Sequence, residues 1–448
     1  MISSVVNSLM NSSLNIALPT IGREFSMNAV GLSWVAQSML LASSILVVPF
    51  GRLADIHGRK RLMTIGSIVY VVSSFSSAIA VNAVFLILSR VLQGIGAAMI
   101  FSTSVALLTS VFPPERKGWA IGWNVSAVYF GLAAGPFIGG MMTHAFGWRS
   151  LFWLNAGLGL VSVLFLTTML KGEWADAKGE TLDITGSLIL AATIVCFVYG
   201  LSKVPALAGF ILVAAGAALF FVFVKVEEKK TNAVVNVKLF EENRMFTFSN
   251  LATLFNYSAA FSVGFLLSLY LQFVKGFDVR ISGTILMAQP LVMVLLSPIA
   301  GRLSDRIEPG KVASLGMALT VAGLLMLAFL GESTGLPYII ASLVVIGAGY
   351  ALFSSPNTNA VMSSIEKRYY GIASGIVSIM RQMGMMVGLA IGTMMLSIFV
   401  GKIKITPDHH QSFLLALRWA FGISTLLCIA GVFASLARRT GKETRSGS

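Results

Sequence analysis

Charge is what this sequence has least of. Asp, Glu, Lys and Arg make up 11% of its 448 residues, while hydrophobic types reach 56%. A soluble domain carries roughly 25% charged residues, so this deficit excludes a chain whose main solvent is water. Lipid leaves the backbone two ways to pair its peptide groups, helices or a closed barrel. The apolar runs are long and continuous, without the period-two alternation of barrel strands, and this selects helices. Only two cysteines occur, Cys196 and Cys428, each inside an apolar run. Two isolated thiols make neither a disulfide framework nor a metal cluster and read as small core residues. No Gly-x-x-x-x-Gly-Lys-Ser/Thr loop is present, so ATP does not drive this chain directly. No catalytic constellation appears, and the longest linker, 225–246, is too short to be an enzyme domain. Neither a cofactor nor a metal is implied.

What remains is a series of apolar segments near 2–21, 30–50, 62–81, 84–111, 118–143, 148–170, 183–202, 206–224, 247–273, 282–300, 312–330, 336–363, 371–399 and 412–437. Most are long enough to cross roughly 30 Å of hydrocarbon at about 1.5 Å per residue. The expected fold is an all-α polytopic membrane protein of about fourteen spans. With the amino terminus placed in the cytoplasm, 22 of the 32 Lys and Arg residues fall in inner loops and eight in outer loops. The inner set clusters at Arg52 to Arg61, Arg116 and Lys117, Lys225 to Arg244, Arg302 to Lys311, and the carboxyl-terminal tail. This bias places both termini inside and accounts for the net charge of +14 without nucleic acid. The first segment is unusually polar, with Ser3, Ser4, Asn7, Ser8, Asn11, Ser12, Ser13 and Asn15. It has no basic flank and no cleavage site of a signal peptide. We read it as lining a polar cavity, with the natural start lying upstream.

The chain repeats itself. GRLADIHGRKR at 51–61 and GRLSDRIEPGK at 301–311 each follow the second helix of a half. The expected organisation is a six-helix bundle over 1–170, an extra helix pair (183–202 and 206–224) with a linker over 171–246, and a second six-helix bundle with a basic tail over 247–448. Paired six-helix halves place a substrate cavity at their interface.

Four stretches carry chemistry. In the first inner loop, Gly51 and Gly58 permit tight turns, and Asp55, Arg59 and Arg61 sit at the membrane surface. A carboxylate there can meet the positive amino end of a neighbouring helix, and Asp305 occupies the matching place in the second copy. The fourth segment holds Arg90 and Gln93, three apart on one face. An arginine at that depth needs a wet cavity or a partner, and both readings stay open. The fifth segment holds Gly131, Gly135, Pro136, Gly139 and Gly140; glycines four apart let helices approach closely, and the proline can bend the helix. The thirteenth holds Arg381-Gln382-Met383-Gly384, where Arg381 suits anion attraction or interhelical bonding equally.

These motifs together resemble the major facilitator superfamily, and within it the fourteen-helix drug:proton antiporter family. The resemblance covers nearly the whole chain. It implies that Asp55, and by symmetry Asp305, holds the cytoplasmic side shut against a neighbouring helix, and that Arg90 takes part in proton coupling. The full Gly131–Gly140 pattern resembles the antiporter signature, which implies export. Two departures stand out. Ile56 replaces a usual basic residue, and Met10 stands where the family's first helix carries an aspartate. No other acid lies near a midplane: Glu332, Glu366, Asp278 and Asp408 fall in loops, and Asp183 at a helix start. A cavity with buried arginines and no central acid suits neutral or anionic amphipaths.

Asn15, Gln37, Asn124, Tyr129, Asn256, Tyr257, Gln289, Asn357 and Asn359 are polar groups on apolar helices, facing a cavity or bonding other helices. His144, His409 and His410 read as outer-loop residues and His57 as an inner one. The leading expectation is a plasma-membrane, monomeric secondary exporter of amphipathic small molecules, driven by inward proton movement through a rocking motion. Exchange of one specific organic anion or metabolite is the alternative, and a non-transporting sensor lacks the partner domain it would need.

Overall fold

The structure is a computed structural model that describes residues 1–27, 29–204, 206–230, 238–277, 279–400 and 410–438. Asp278, Lys402, Lys404, Asp408, His409, Arg439, Lys442 and Arg445, assigned to loops or the tail from the sequence, lie outside the described residues. Among the described residues there is no strand. The helices are α1 (Ile2–Glu24), α2 (Ala29–His57), α3 (Arg59–Ala78), α4 (Ala83–Val111), α5 (Lys117–Phe146), α6 (Arg149–Thr168), α7 (Ile184–Lys203) and α8 (Leu207–Glu227). A short α9 (Lys238–Glu242) leads into α10 (Arg244–Leu269), α11 (Val279–Leu286), α12 (Ala288–Arg306), α13 (Pro309–Ala328), α14 (Leu336–Ser363), α15 (Tyr370–Phe399) and α16 (His410–Ala437).

Local chemistry sets several of these boundaries. Asn82, Asp183 and Asn243 each accept the backbone N–H three residues on, at 2.8, 3.1 and 3.0 Å, and so cap α4, α7 and α10. The segment expected as one helix over 282–300 is broken at Met287 into α11 and α12. Pro290, in the first turn of α12, has no N–H to continue the ladder from α11. The expected inner loop 51–61 is almost wholly helical. The helix α2 runs on to His57 with Arg52, Asp55 and Ile56 buried, and a single glycine, Gly58 at φ +115°, separates it from α3.

Twelve helices among the described residues are long and apolar enough to cross a membrane, so this is a multi-pass membrane protein. The two others of comparable length are α1 and α3, of 23 and 20 residues. Both are too polar for that class: α1 is rich in Ser and Asn, and α3 opens on Arg59-Lys60-Arg61 and carries five serines. The count read from the sequence is thus matched for twelve spans. Apolar side chains such as Leu188, Phe221, Leu295 and Phe433 are 60 to 70% exposed, as expected where lipid is the neighbour.

Packing follows the internal repeat. In the first half α1 packs on α5 and α6, α4 on α2 and α3, and α3 on α6; α10 to α16 repeat every one of these pairings, with α11–α12 in the place of α2. The halves meet through α5 on α12 and α15 on α2, the same pair of positions exchanged. The pair α7–α8 stands outside this scheme, packing on itself and, through α7, on α2 and α15.

Candidate functional site

At the end of the bundle that carries the basic loops, two carboxylates sit on the amino ends of helices from the opposite half. Asp55 Oδ1 and Oδ2 accept the N–H groups of Gly371 and Ile372 at 2.8 and 3.1 Å, capping α15. Asp305 Oδ1 and Oδ2 accept those of Gly118 and Trp119 at 2.7 and 2.9 Å, capping α5. In both cases a negative side chain meets orphan donors at the positive end of a helix dipole. Glycine makes the approach possible: a Cβ on Gly51 would stand 2.4 Å from the Gly371 carbonyl oxygen, and one on Gly301 2.2 Å from that of Gly118.

The two latches have unequal surroundings. Asp55 and Arg59 are wholly buried. Arg59 donates to Asp55 Oδ1 from Nε at 3.0 Å and Nη2 at 2.7 Å, to Ser110 and Asp176 at 2.7 Å each, and to the Lys367 carbonyl. Its guanidinium lies 5.2 Å from the centre of the Tyr370 ring, whose hydroxyl accepts from Lys117 at 2.9 Å. Residues 173–180 form a strap across this site. Glu173 accepts the Lys60 and Arg61 N–H groups at 2.9 and 3.0 Å, capping α3, and Glu180 pairs with Arg52. The Ala177 N–H donates to the Asp55 carbonyl at 3.0 Å, and the Arg59 N–H donates to the Trp174 carbonyl at 2.9 Å. Asp305, by contrast, is half-buried and borders an open cavity of about 550 Å³ with Arg302, Arg306, Glu115 and Arg116. Of the expected latch residues, the side chain of Arg61 is exposed and plays no part in the contact.

From these latches the halves stay in contact to about mid-helix. Ser126 on α5 donates to the Val294 carbonyl at 2.7 Å, and Ser44 on α2 bonds Gln382 on α15. There a tyrosine cluster bridges the halves. Tyr129 and Tyr257 hydroxyls are 3.3 Å apart, Tyr257 bonds Ser354 at 3.1 Å, and Tyr350 packs edge-on against Tyr257 with ring centres at 5.3 Å. The Arg381 guanidinium lies over the Tyr257 ring, 5.1 Å from its centre, an attraction of cation to ring face. Arg381 is half-buried and its Nε has no partner among the described residues. This gives the centre a positive, aromatic character. Asn15 on α1 and Gln37 on α2 are exposed; Gln37 lines a separate cavity of about 350 Å³ between α2, α7 and α15 with Trp34, Gln382 and Met385.

Other expected residues are tied into contacts between helices. Arg90 is fully buried, donating to the Val35 carbonyl at 3.1 Å and to Gln93 at 2.5 Å; Gln93 donates to Ser74 at 2.8 Å, and Asn155 also donates to Ser74. That network ties α2, α3, α4 and α6 together. Gly131, Gly135 and Gly139 receive α1, with Ser8, Ser12 and Ser13 against them, whereas Gly140 has no neighbour and Pro136 is exposed. Ser3 bonds α6, and Ser4, Ser12 and Ser13 bond α5, so half of the eight polar groups singled out on α1 join it to other helices. Asn357 ties α14 to α10, Asn359 ties α14 to α12, and Asn124 accepts from Ser4. Asn256 is buried near Cys428, and Gln289 is half-buried at the start of α12. The strap acids and Tyr350 were not anticipated from the sequence.

The family model for the Major Facilitator Superfamily matches residues 1–231 and 249–448. The chain belongs to that superfamily. Its membership makes it a membrane transporter rather than an enzyme. It is similar to the riboflavin transporter RibZ of Clostridioides difficile, 28% identical, covering 98% of this chain and 96% of that one. It is also similar to the multidrug resistance protein Stp of Mycobacterium tuberculosis, 30% identical over 84% of this chain and 71% of the relative. The tetracenomycin C resistance and export protein of Streptomyces glaucescens is 27% identical over 86% and 72%. Among solved structures, the human organic anion transporter MFSD10 (TETRAN) superposes with a TM-score of 0.71, 14% identity and 97% coverage of both chains, a likeness of fold.

Proposed function

We propose that this transporter exports neutral or anionic amphipathic small molecules across the plasma membrane by proton antiport, rocking its halves about a midplane site. In this reading α1 and α3 also span, giving fourteen spans, both termini are cytoplasmic, and the basic end faces the cytoplasm. The bundles are 1–170 and 247–448, joined by 171–246, and the working unit is a monomer. The observation that carries it is the pair of exchanged latches, Asp55 on α15 and Asp305 on α5, which join the halves at the basic end. Opening them while the far end closes is alternating access. Arg381 over Tyr257 supports the substrate charge class, since an uncompensated cation at the midplane repels cations. Methionines such as Met293 and Met385 share the apolar cluster of these tyrosines and supply adaptable walls. Similarity to export and drug-resistance proteins supports the direction.

A second reading, transport of one planar metabolite, rests on the relative that covers nearly the whole chain and is named a riboflavin transporter. Inside-out vesicles with an imposed pH gradient separate these readings. Anionic and neutral fluorescent dyes should accumulate with the gradient and cationic dyes should not, and Arg381→Gln should reduce anionic-dye uptake about tenfold, roughly 1.4 kcal/mol. Uptake of riboflavin alone would select the second reading, and gradient-independent uptake of every dye would sink proton antiport.

A further inference from the structure

Arg438, the first residue after α16, is 5% exposed, and none of its three guanidinium nitrogens has a partner among the described residues. It lines a cavity of about 130 Å³ at the basic end with Glu308, Gly310, Lys311, Ser314 and Ser435. The cavity sits on the amino end of α13, where Pro309 has no N–H and the Lys311 N–H bonds the Glu308 carbonyl at 3.0 Å, which leaves Gly310 as the amide donor of the first turn. The one acid present, Glu308, pairs with Lys311 at 3.4 Å and attracts Arg438 without a hydrogen bond to it, so one carboxylate stands against two cations. Ser314 and Ser435 satisfy each other at 2.6 Å. A buried guanidinium, a lysine and a helix amino end therefore face one small space with a net positive charge. Guanidinium and helix-terminal amides are together the donor set that recognises phosphate oxygens.

We propose that Arg438, Lys311 and the amino end of α13 bind a phosphate group. The placement, at a basic end with apolar helix surfaces on either side, allows two sources of that group, the headgroup of an anionic lipid and free phosphate. The site shares no residue with the latches or the tyrosine cluster, so it does not depend on the proposed substrate. The space equals about four waters' share of liquid volume, enough for one phosphate group and too small for a whole amphipath.

Thermal unfolding of the full purified chain in detergent tests this with two probes, short-chain phosphatidylglycerol and inorganic phosphate. Wild type should gain several degrees with at least one probe; the lipid alone marks a headgroup site, and phosphate a free-anion site. Arg438→Gln should lose that gain, while Lys229→Gln, removing an exposed lysine after α8, should keep it. Should Arg438→Gln fold poorly, Lys311→Gln is expected to weaken retention of the same probe several-fold in native mass spectrometry. Neither probe shifting wild type, or an equal shift in Arg438→Gln, would overturn the site.

Discussion

The latch at Asp55 and the latch at Asp305 are built from the same repeat and differ in what stands behind them. Each carboxylate takes two backbone N–H groups of a helix from the other half. Behind Asp55 stands Arg59, buried and shared among Asp55, Asp176, Ser110 and the Lys367 carbonyl. Behind Asp305 lie Asn359, which bonds Ser304, and an open cavity with three arginines on its rim. Among the described residues, no ion pair joins Asp305 to a basic residue. One latch is a dry network and the other a wet contact. The segment that makes the difference is the 173–180 strap, which leads directly into the extra pair α7–α8. Its insertion adds charged partners to one side of an otherwise symmetric pair of contacts.

Removing the charge at Asp55 breaks the comparison most sharply. Asp55→Asn leaves Arg59 buried with half its compensation, and breaking a buried pair costs about 3 to 5 kcal/mol. Gradient-driven dye transport by a variant that reaches the membrane should fall at least tenfold. Asp305→Asn removes only a helix-terminal charge in a wetter place, about 0.5 to 2 kcal/mol, and should reduce the same transport a few-fold. Equal losses would erase the distinction between the latches. Gly58→Ala probes the strap itself. Its φ of +115° and a Cβ only 2.5 Å from the Glu173 carboxyl carbon make the substitution cost about 1 to 3 kcal/mol. The expected result is a lower unfolding temperature with the midplane site intact.

Much of this gate was legible beforehand. The glycines at 51 and 301 and the acids four residues on marked both copies, and the lack of charge forced a helical membrane fold. The strap was not legible, because Glu173, Asp176 and Glu180 look in sequence like any solvated linker. Their partners are fixed only when 171–182 folds back over α3. The tyrosine cluster was half legible: Tyr129, Tyr257 and Arg381 stood out singly, but Tyr350 on an apolar helix gives no signal until α14 meets α10. For Arg90 the sequence left a cavity and a partner both open, for a related reason. Its partner is a backbone carbonyl, Val35, and backbone partners leave no mark in a sequence. The polar α1 was read as a cavity wall because serines that bond across helices and serines that face water share one composition.

The account rests on the halves being held together at the basic end by Asp55, and a distance across that end tests it most directly. Spin labels at Arg61→Cys and Arg368→Cys, in a background with Cys196 and Cys428 replaced by Ser, span the latch between α3 and α15. The account predicts one short-distance population in the otherwise wild-type chain and a second, longer population in Asp55→Asn. An unchanged single distance in Asp55→Asn, with the protein still folded, would contradict it.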